Sequence, residues 1–189
     1  MKKYDAQAIR NVCLVAHGGV GKTSLMEALT FTSKGTSRLG KVASGSSIFD
    51  SRPDEKERKM TISMAVGFCE WNNVKVNFLD TPGFLDFAGD VRAAMRVTES
   101  AVVLVDAFSG IQVGTECVMR EVTGQGRPHL FLVNGLDREN ANFETTLAAL
   151  REAFGTSVPP IQVPIGLGPQ FRGLGWGRPR CRTPPAGRQ

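Results

Sequence analysis

No apolar run in the chain approaches the length of a membrane-spanning helix, and the polar start Met1-Lys2-Lys3-Tyr4-Asp5 has no signal-peptide core. A membrane partner is therefore not expected, and a cytoplasmic location follows by default. The four cysteines, Cys13, Cys69, Cys117 and Cys181, are far apart and form no Cys-x-x-Cys pair. That spacing speaks against a zinc site or a disulfide framework. Cys13 and Cys69 fall in apolar strand patterns and read as buried free thiols. No acidic residue follows Glu152, whereas Arg172, Arg178, Arg180, Arg182 and Arg188 all do. These five arginines account for the whole net charge of +5. The basic character belongs to the tail, and direct nucleic-acid binding is not expected.

At 189 residues the chain has room for one α/β domain with a substantial core. From about residue 8 to 165, strand and helix patterns alternate, as in a parallel α/β sheet. Strands are expected at 9–16, 64–71, 74–80, 101–106 and 129–134, with a hairpin turn at Asn72-Asn73. Helices are expected from Ser24 to Leu29 and near 87–98, 112–125 and 142–154. Residues 33–60 are rich in Ser, Gly and charge, and a loop of that length in a compact domain is functional or mobile. After Gly166 the apolar pattern stops and Gly, Pro and Arg dominate. Residues 171–189 are expected to be without structure, or to be the product of a GC-rich gene read out of frame.

The chemistry begins at Ala16-His17-Gly18-Gly19-Val20-Gly21-Lys22-Thr23-Ser24. A loop of small residues between a strand and a helix lets successive backbone N–H groups point at phosphate oxygens, and the helix N-terminus adds its dipole. Lys22 would reach the β- and γ-phosphates, and the Thr23 hydroxyl would ligate Mg²⁺. The first position of the strict pattern is Gly; here it is Ala16. Asp80-Thr81-Pro82-Gly83 ends a second strand. Alone it fits a strand-ending turn equally well. After a P-loop, Asp80 is suited to hold Mg²⁺ and the Gly83 N–H to meet the γ-phosphate. Asn134-Gly135-Leu136-Asp137 follows a further strand, where open α/β sheets bind ligands. By itself it would be a helix-entry turn; as part of a nucleotide site, Asp137 would accept two hydrogen bonds from guanine and so select GTP over ATP. Thr61, closing the long polar loop, carries a hydroxyl suited to complete the Mg²⁺ shell.

In order and spacing these motifs resemble the GTP-binding domain of translational GTPases, nearest to elongation factor G and its paralogues, from Asn11 to about Gly173. Arg58, Thr61 and Ile62 match that family's switch I text, and Asp80 to Phe87 its switch II text. Val105 to Gln112 and Asn134 to Arg138 complete the match. The resemblance implies a P-loop NTPase of the Ras-like GTPase type: a three-layer α/β sandwich with a mostly parallel sheet, GTP or GDP with Mg²⁺, and guanine nucleotide as partner. It implies an incomplete GTP-binding domain over 1–157, the start of an inserted subdomain at 158–170, and a sheet lacking its last core strand and helix. The ribosome enters as a partner only through the resemblance, without the domains that would meet it.

Two residues depart from the family. Where it has a water-orienting His, this chain has Phe84, so no catalytic residue is assigned. Where it has the Lys that packs over guanine, this chain has Gly135. Losing that contact costs on the order of 1–2 kcal/mol. Slow GTP hydrolysis is the leading expectation, with a non-hydrolysing switch or an inactive remnant as alternatives. Partition-type ATPases also carry Gly-Gly-Val-Gly-Lys-Thr, but they place a Lys where this chain has His17.

Overall fold

The computed structural model describes residues 3–155 and 158–176. They fall into two compact units: Met1–Asp106 with Gln112–Asn134, and Ala107–Ile111 with Gly135–Gln189.

In the first unit the chain runs β1 (Ile9–Val15), α1 (Lys22–Thr32), α2 (Pro53–Arg58), β2 (Ala65–Trp71), β3 (Val74–Asp80), α3 (Ala88–Val97), β4 (Ser100–Asp106), α4 (Val113–Gly124) and β5 (His129–Asn134). The strands form one sheet in the order β2-β3-β1-β4-β5. Only the β2–β3 pair is antiparallel; β1 pairs in parallel with β3 and β4, and β4 with β5. Asn72 and Asn73 make the hairpin turn with φ of 47° and 63°, the left-handed pair a two-residue turn needs.

Both faces of the central strands are buried, as a parallel sheet requires. Leu14 and Leu104 join Met26 of α1 in one cluster, packed with Phe78, Val102 and Leu132. The alternating residues Cys13, Val15, Val103 and Val105 are fully buried as well. Helices α3 and α4 pack on β1 and β4, and α1 on β2 and β3. Parallel order with each strand followed by a crossover brings the carboxyl ends of β1, β3, β4 and β5 to one edge of the sheet. The glycine loop, Asp80 and Asn134 sit there.

The long polar loop is not featureless. Pro53 at the first turn, acidic Asp54 and Glu55 behind it, and Lys56 and Arg58 in the last turn build the short helix α2.

The second unit holds α5 (Phe143–Phe154), β6 (Gln162–Ile165) and β7 (Gly173–Trp176). Asn142 caps α5 through its side chain, accepting the Thr145 N–H at 3.0 Å. β6 and β7 pair antiparallel from Ile165↔Gly173 to Gln162↔Trp176. The boundary expected at residue 171, with no structure beyond it, is therefore corrected: residues 173–176 form a strand. Gly166 and Gly168, with φ of 76° and 55°, turn the chain back on itself, and the Arg172 N–H donates to Ile165 O at 2.8 Å. The expectation for residues 177–189, including Cys181, lies outside the described residues. Cys13, Cys69 and Cys117 are free, and the first two are buried as expected.

Candidate functional site

The glycine loop after β1 turns back through Gly19 and Gly21, whose φ values of 78° and 101° lie where a side chain is strained. Asn134, the last residue of β5, braces this loop: its Nδ2 donates to Val20 O at 2.8 Å. A Cβ at Gly21 would stand 2.6 Å from that same nitrogen, so the close approach also requires glycine. Asn134, expected in the base pocket, thus holds the phosphate loop directly. His17 packs against Gly114 of α4 with its Nδ1 buried and without a partner among the described residues. Gly18 is half-buried, while Gly19 and Ser24 are exposed.

Lys22 and Thr23 open α1 and are both buried. Lys22 folds its amine over the loop, donating to Ala16 O at 3.4 Å and His17 O at 3.3 Å. Thr23 Oγ1 donates to Asp80 Oδ2 at 2.6 Å and lies 2.8 Å from Thr61 Oγ1. The three residues expected to hold a metal, Thr23, Thr61 and Asp80, are therefore side by side.

A fourth member escapes the sequence reading. Asp50 Oδ1 accepts the Thr61 hydroxyl at 2.8 Å. Asp50 is a lone carboxylate in a Ser-rich loop, with no spacing to mark it. Asp80 is fully buried and Asp50 nearly so, yet Asp80 Oδ1 and Asp50 Oδ2 have no hydrogen-bond partner among the described residues. Two orphaned anionic oxygens beside two hydroxyls form an all-oxygen donor set of the kind a hard dication takes. The residues present fit Mg²⁺.

The electrostatics describe the same demand. Burial pushes the Asp80 carboxyl from 3.8 up to about 6, against the Thr23 hydrogen bond and the Lys22 charge, with Asp50 and Glu55 adding repulsion. Burial also raises Asp50; the Thr61 hydroxyl opposes the rise, and Glu55 and Glu27 add to it. Burial lowers Lys22 from 10.5 to about 8, Asp80 partly resisting. Both signs of charge are held at a cost that a cation near the carboxylates and an anion near the amine would relieve.

Gly83 lies hard against the loop: a Cβ there would be 2.5 Å from Lys22 Nζ and 2.7 Å from Gly18 Cα. Phe84 follows, and its ring lies over Gly18, where a Cβ would meet three ring carbons at 3.0–3.2 Å. In the second unit, Asp137 is exposed in the turn after Leu136. Gly135 has φ 75°, and a Cβ there would meet Arg138 Cδ and Nε at 3.2 Å.

A buried Lys-Thr pair on a strand–glycine loop–helix unit, facing an aspartate at the end of the neighbouring parallel strand, defines a P-loop nucleotide-binding domain. The family model described as the elongation factor Tu GTP binding domain matches residues 7–174, and the chain belongs to that family. Its curated relatives include elongation factor G of Dehalococcoides mccartyi (strain CBDB1), 34% identical over 172 residues that make up 91% of this chain and 25% of the relative. Elongation factor G of Salinibacter ruber is 35% identical over 173 residues, 92% of this chain and 24% of the relative. A crystal structure from Thermus thermophilus superposes with a TM-score of 0.84 at 35% identity, over 88% of this chain and 25% of that one. The chain thus spans about a quarter of the length of the relatives it matches. Among the described residues, no helix is long and apolar enough to cross a membrane.

Proposed function

We propose that this chain binds GTP or GDP with Mg²⁺ at the Gly18–Thr23 loop and hydrolyses GTP slowly. The observation that carries the reading is the Thr23–Thr61–Asp80–Asp50 cluster with its two orphaned buried oxygens. Mg²⁺ there would supply charge for the phosphate oxygens to meet. Thr23 and Thr61 would hold it with Asp80 and Asp50, while Lys22 would neutralise the phosphates from the other side. Asp137 is the residue proposed to select guanine. The relatives' names place them in translation elongation; the proposal for this chain is confined to nucleotide binding and slow turnover.

Turnover is slow because Phe84 carries no hydrogen-bonding group to orient water. The seat of its ring over Gly18 also favours the second reading, a nucleotide-dependent switch that does not hydrolyse. Displacement of a fluorescent guanine nucleotide from the purified chain, with GTP and ATP as competitors and Mg²⁺ present or chelated, tests the binding. GTP should compete and ATP should not; preference for ATP, or no binding, overturns the proposal. Single-turnover phosphate release then separates slow hydrolysis from none.

A further inference from the structure

We propose that Arg138 is a base-contacting residue, its guanidinium stacking on the face of the guanine whose edge Asp137 reads. The inference rests on the guanine-binding role proposed above for Asp137. The turn after β5 is built so that residue 138 comes back over residue 135. The Arg138 N–H donates to Gly135 O at 3.1 Å, and Gly135 takes a φ of 75°. Leu136 is the buried anchor of the turn, and its carbonyl accepts the Gly168 N–H at 2.8 Å. The Ala141 N–H donates to Arg138 O at 3.2 Å. With the backbone held at these points, Asp137 and Arg138 stand exposed as neighbours.

The Arg138 side chain lies across Gly135, on the side from which a side chain there would project. A Cβ at Gly135 would meet Arg138 Cδ and Nε at 3.2 Å and Cζ at 3.6 Å. Nε and Cζ belong to the planar group, so the guanidinium itself is drawn in against the turn. The absence of a side chain at 135 is what admits it. A planar cation beside a carboxylate in one turn answers two different parts of guanine. The carboxylate can take the paired N–H donors of the base edge, whereas the guanidinium offers a flat, weakly hydrated cation to the π face. Reading the edge selects one base. Stacking on the face strengthens binding of any purine and selects little.

That division of labour is what the test reads. GDP, ADP and pyrophosphate, each with Mg²⁺, are titrated as competitors of a fluorescent guanine nucleotide on the wild type, Arg138→Ala and Asp137→Ala. Arg138→Ala should bind GDP about tenfold more weakly while keeping the wild-type preference for GDP over ADP. Asp137→Ala should lose that preference. Pyrophosphate carries the charge and no base, so it should bind the wild type and Arg138→Ala equally. Unchanged GDP affinity in Arg138→Ala overturns the proposal and leaves the guanine reading of the site standing. An equal loss for pyrophosphate also overturns it, because the arginine would then act through the phosphates or the fold. A wild type that binds no guanine nucleotide overturns the proposal together with the reading beneath it.

Discussion

Replacing Asp80 by Asn should stabilise the ligand-free protein while abolishing its response to Mg²⁺. Burial lifts the Asp80 carboxyl from 3.8 to about 6. A carboxyl whose folded-state value lies above its unfolded one binds a proton more readily when folded. Its contribution is therefore best at low pH and is lost as pH rises from about 4 through 6. Above that range the ionised side chain costs about 3 kcal/mol relative to an unperturbed one. Asparagine keeps an oxygen for the Thr23 hydroxyl, now 2.6 Å from Oδ2, but as a neutral acceptor worth about 1 kcal/mol less. Lys22, already lowered to about 8, loses its one favourable charge partner and tends further toward the neutral amine. The net gain is about 1–2 kcal/mol, or roughly 3–6 °C in melting temperature for a chain of this size.

Thermal unfolding followed by circular dichroism, with a chelator present, reads this directly. The wild type should lose stability relative to the Asn variant as pH is raised from about 4 to 6. With Mg²⁺ and GDP added near a hundred times their dissociation constant, the wild type gains about 2.7 kcal/mol and the variant gains nothing from the metal. A variant less stable than wild type in chelator, with the same pH dependence, would show that burial of this carboxylate is not penalised and would refute the reasoning.

Phe84→His should raise single-turnover GTP hydrolysis by about 10²-fold through water positioning; because the ring is 41% exposed, the melting temperature should hardly move. An unchanged rate means that something other than this side chain limits hydrolysis. Asn134→Ala removes the hydrogen bond to Val20 O, so stability should fall by about 1 kcal/mol and nucleotide should dissociate faster in stopped-flow chase; equal off-rates would deny Asn134 its bracing role. Gly135→Lys should not recover the contact the family makes with its lysine. At φ 75° a side chain costs about 1–2 kcal/mol, and Arg138 already occupies the adjacent space. GTP binding tightened tenfold in a titration would show that the contact outweighs the backbone.

The parts of the site legible in the sequence are those where local chemistry and local structure coincide. Gly18 to Thr23 declares itself because the residues that shape the turn are the ones that would face phosphate. Asn72-Asn73 is legible for the same reason, since the side chains that favour left-handed φ make the turn. Asp50 carries no such mark. It is one acid among many, and its place beside Thr61 and Thr23 arises only when α1 and a Ser-rich loop are brought together by tertiary packing. α2 escapes a reading by periodicity because it is short and polar all round, although Pro53 and its ordered charges are helix signals. The β6–β7 hairpin is hidden by composition: Pro164 in β6 and Gly173 and Gly175 in β7 interrupt the apolar alternation by which strands are read.

Phe84 shows how a departure from the family pattern is accommodated by the fold. Read alone, it is a missing histidine. In the structure its ring has a seat, because Gly18 offers no side chain and a Cβ there would come within 3.0–3.2 Å of the ring. The two positions are coupled: a side chain at 18 would press on the ring at 84. The Thr23–Thr61–Asp80–Asp50 cluster makes no hydrogen bond to this pair, its contacts running between the end of β3, the start of α1 and the long polar loop. On the proposed function, affinity for nucleotide and rate of hydrolysis rest on separable sets of contacts, the first lacking the family's lysine at Gly135 and the second its histidine at Phe84.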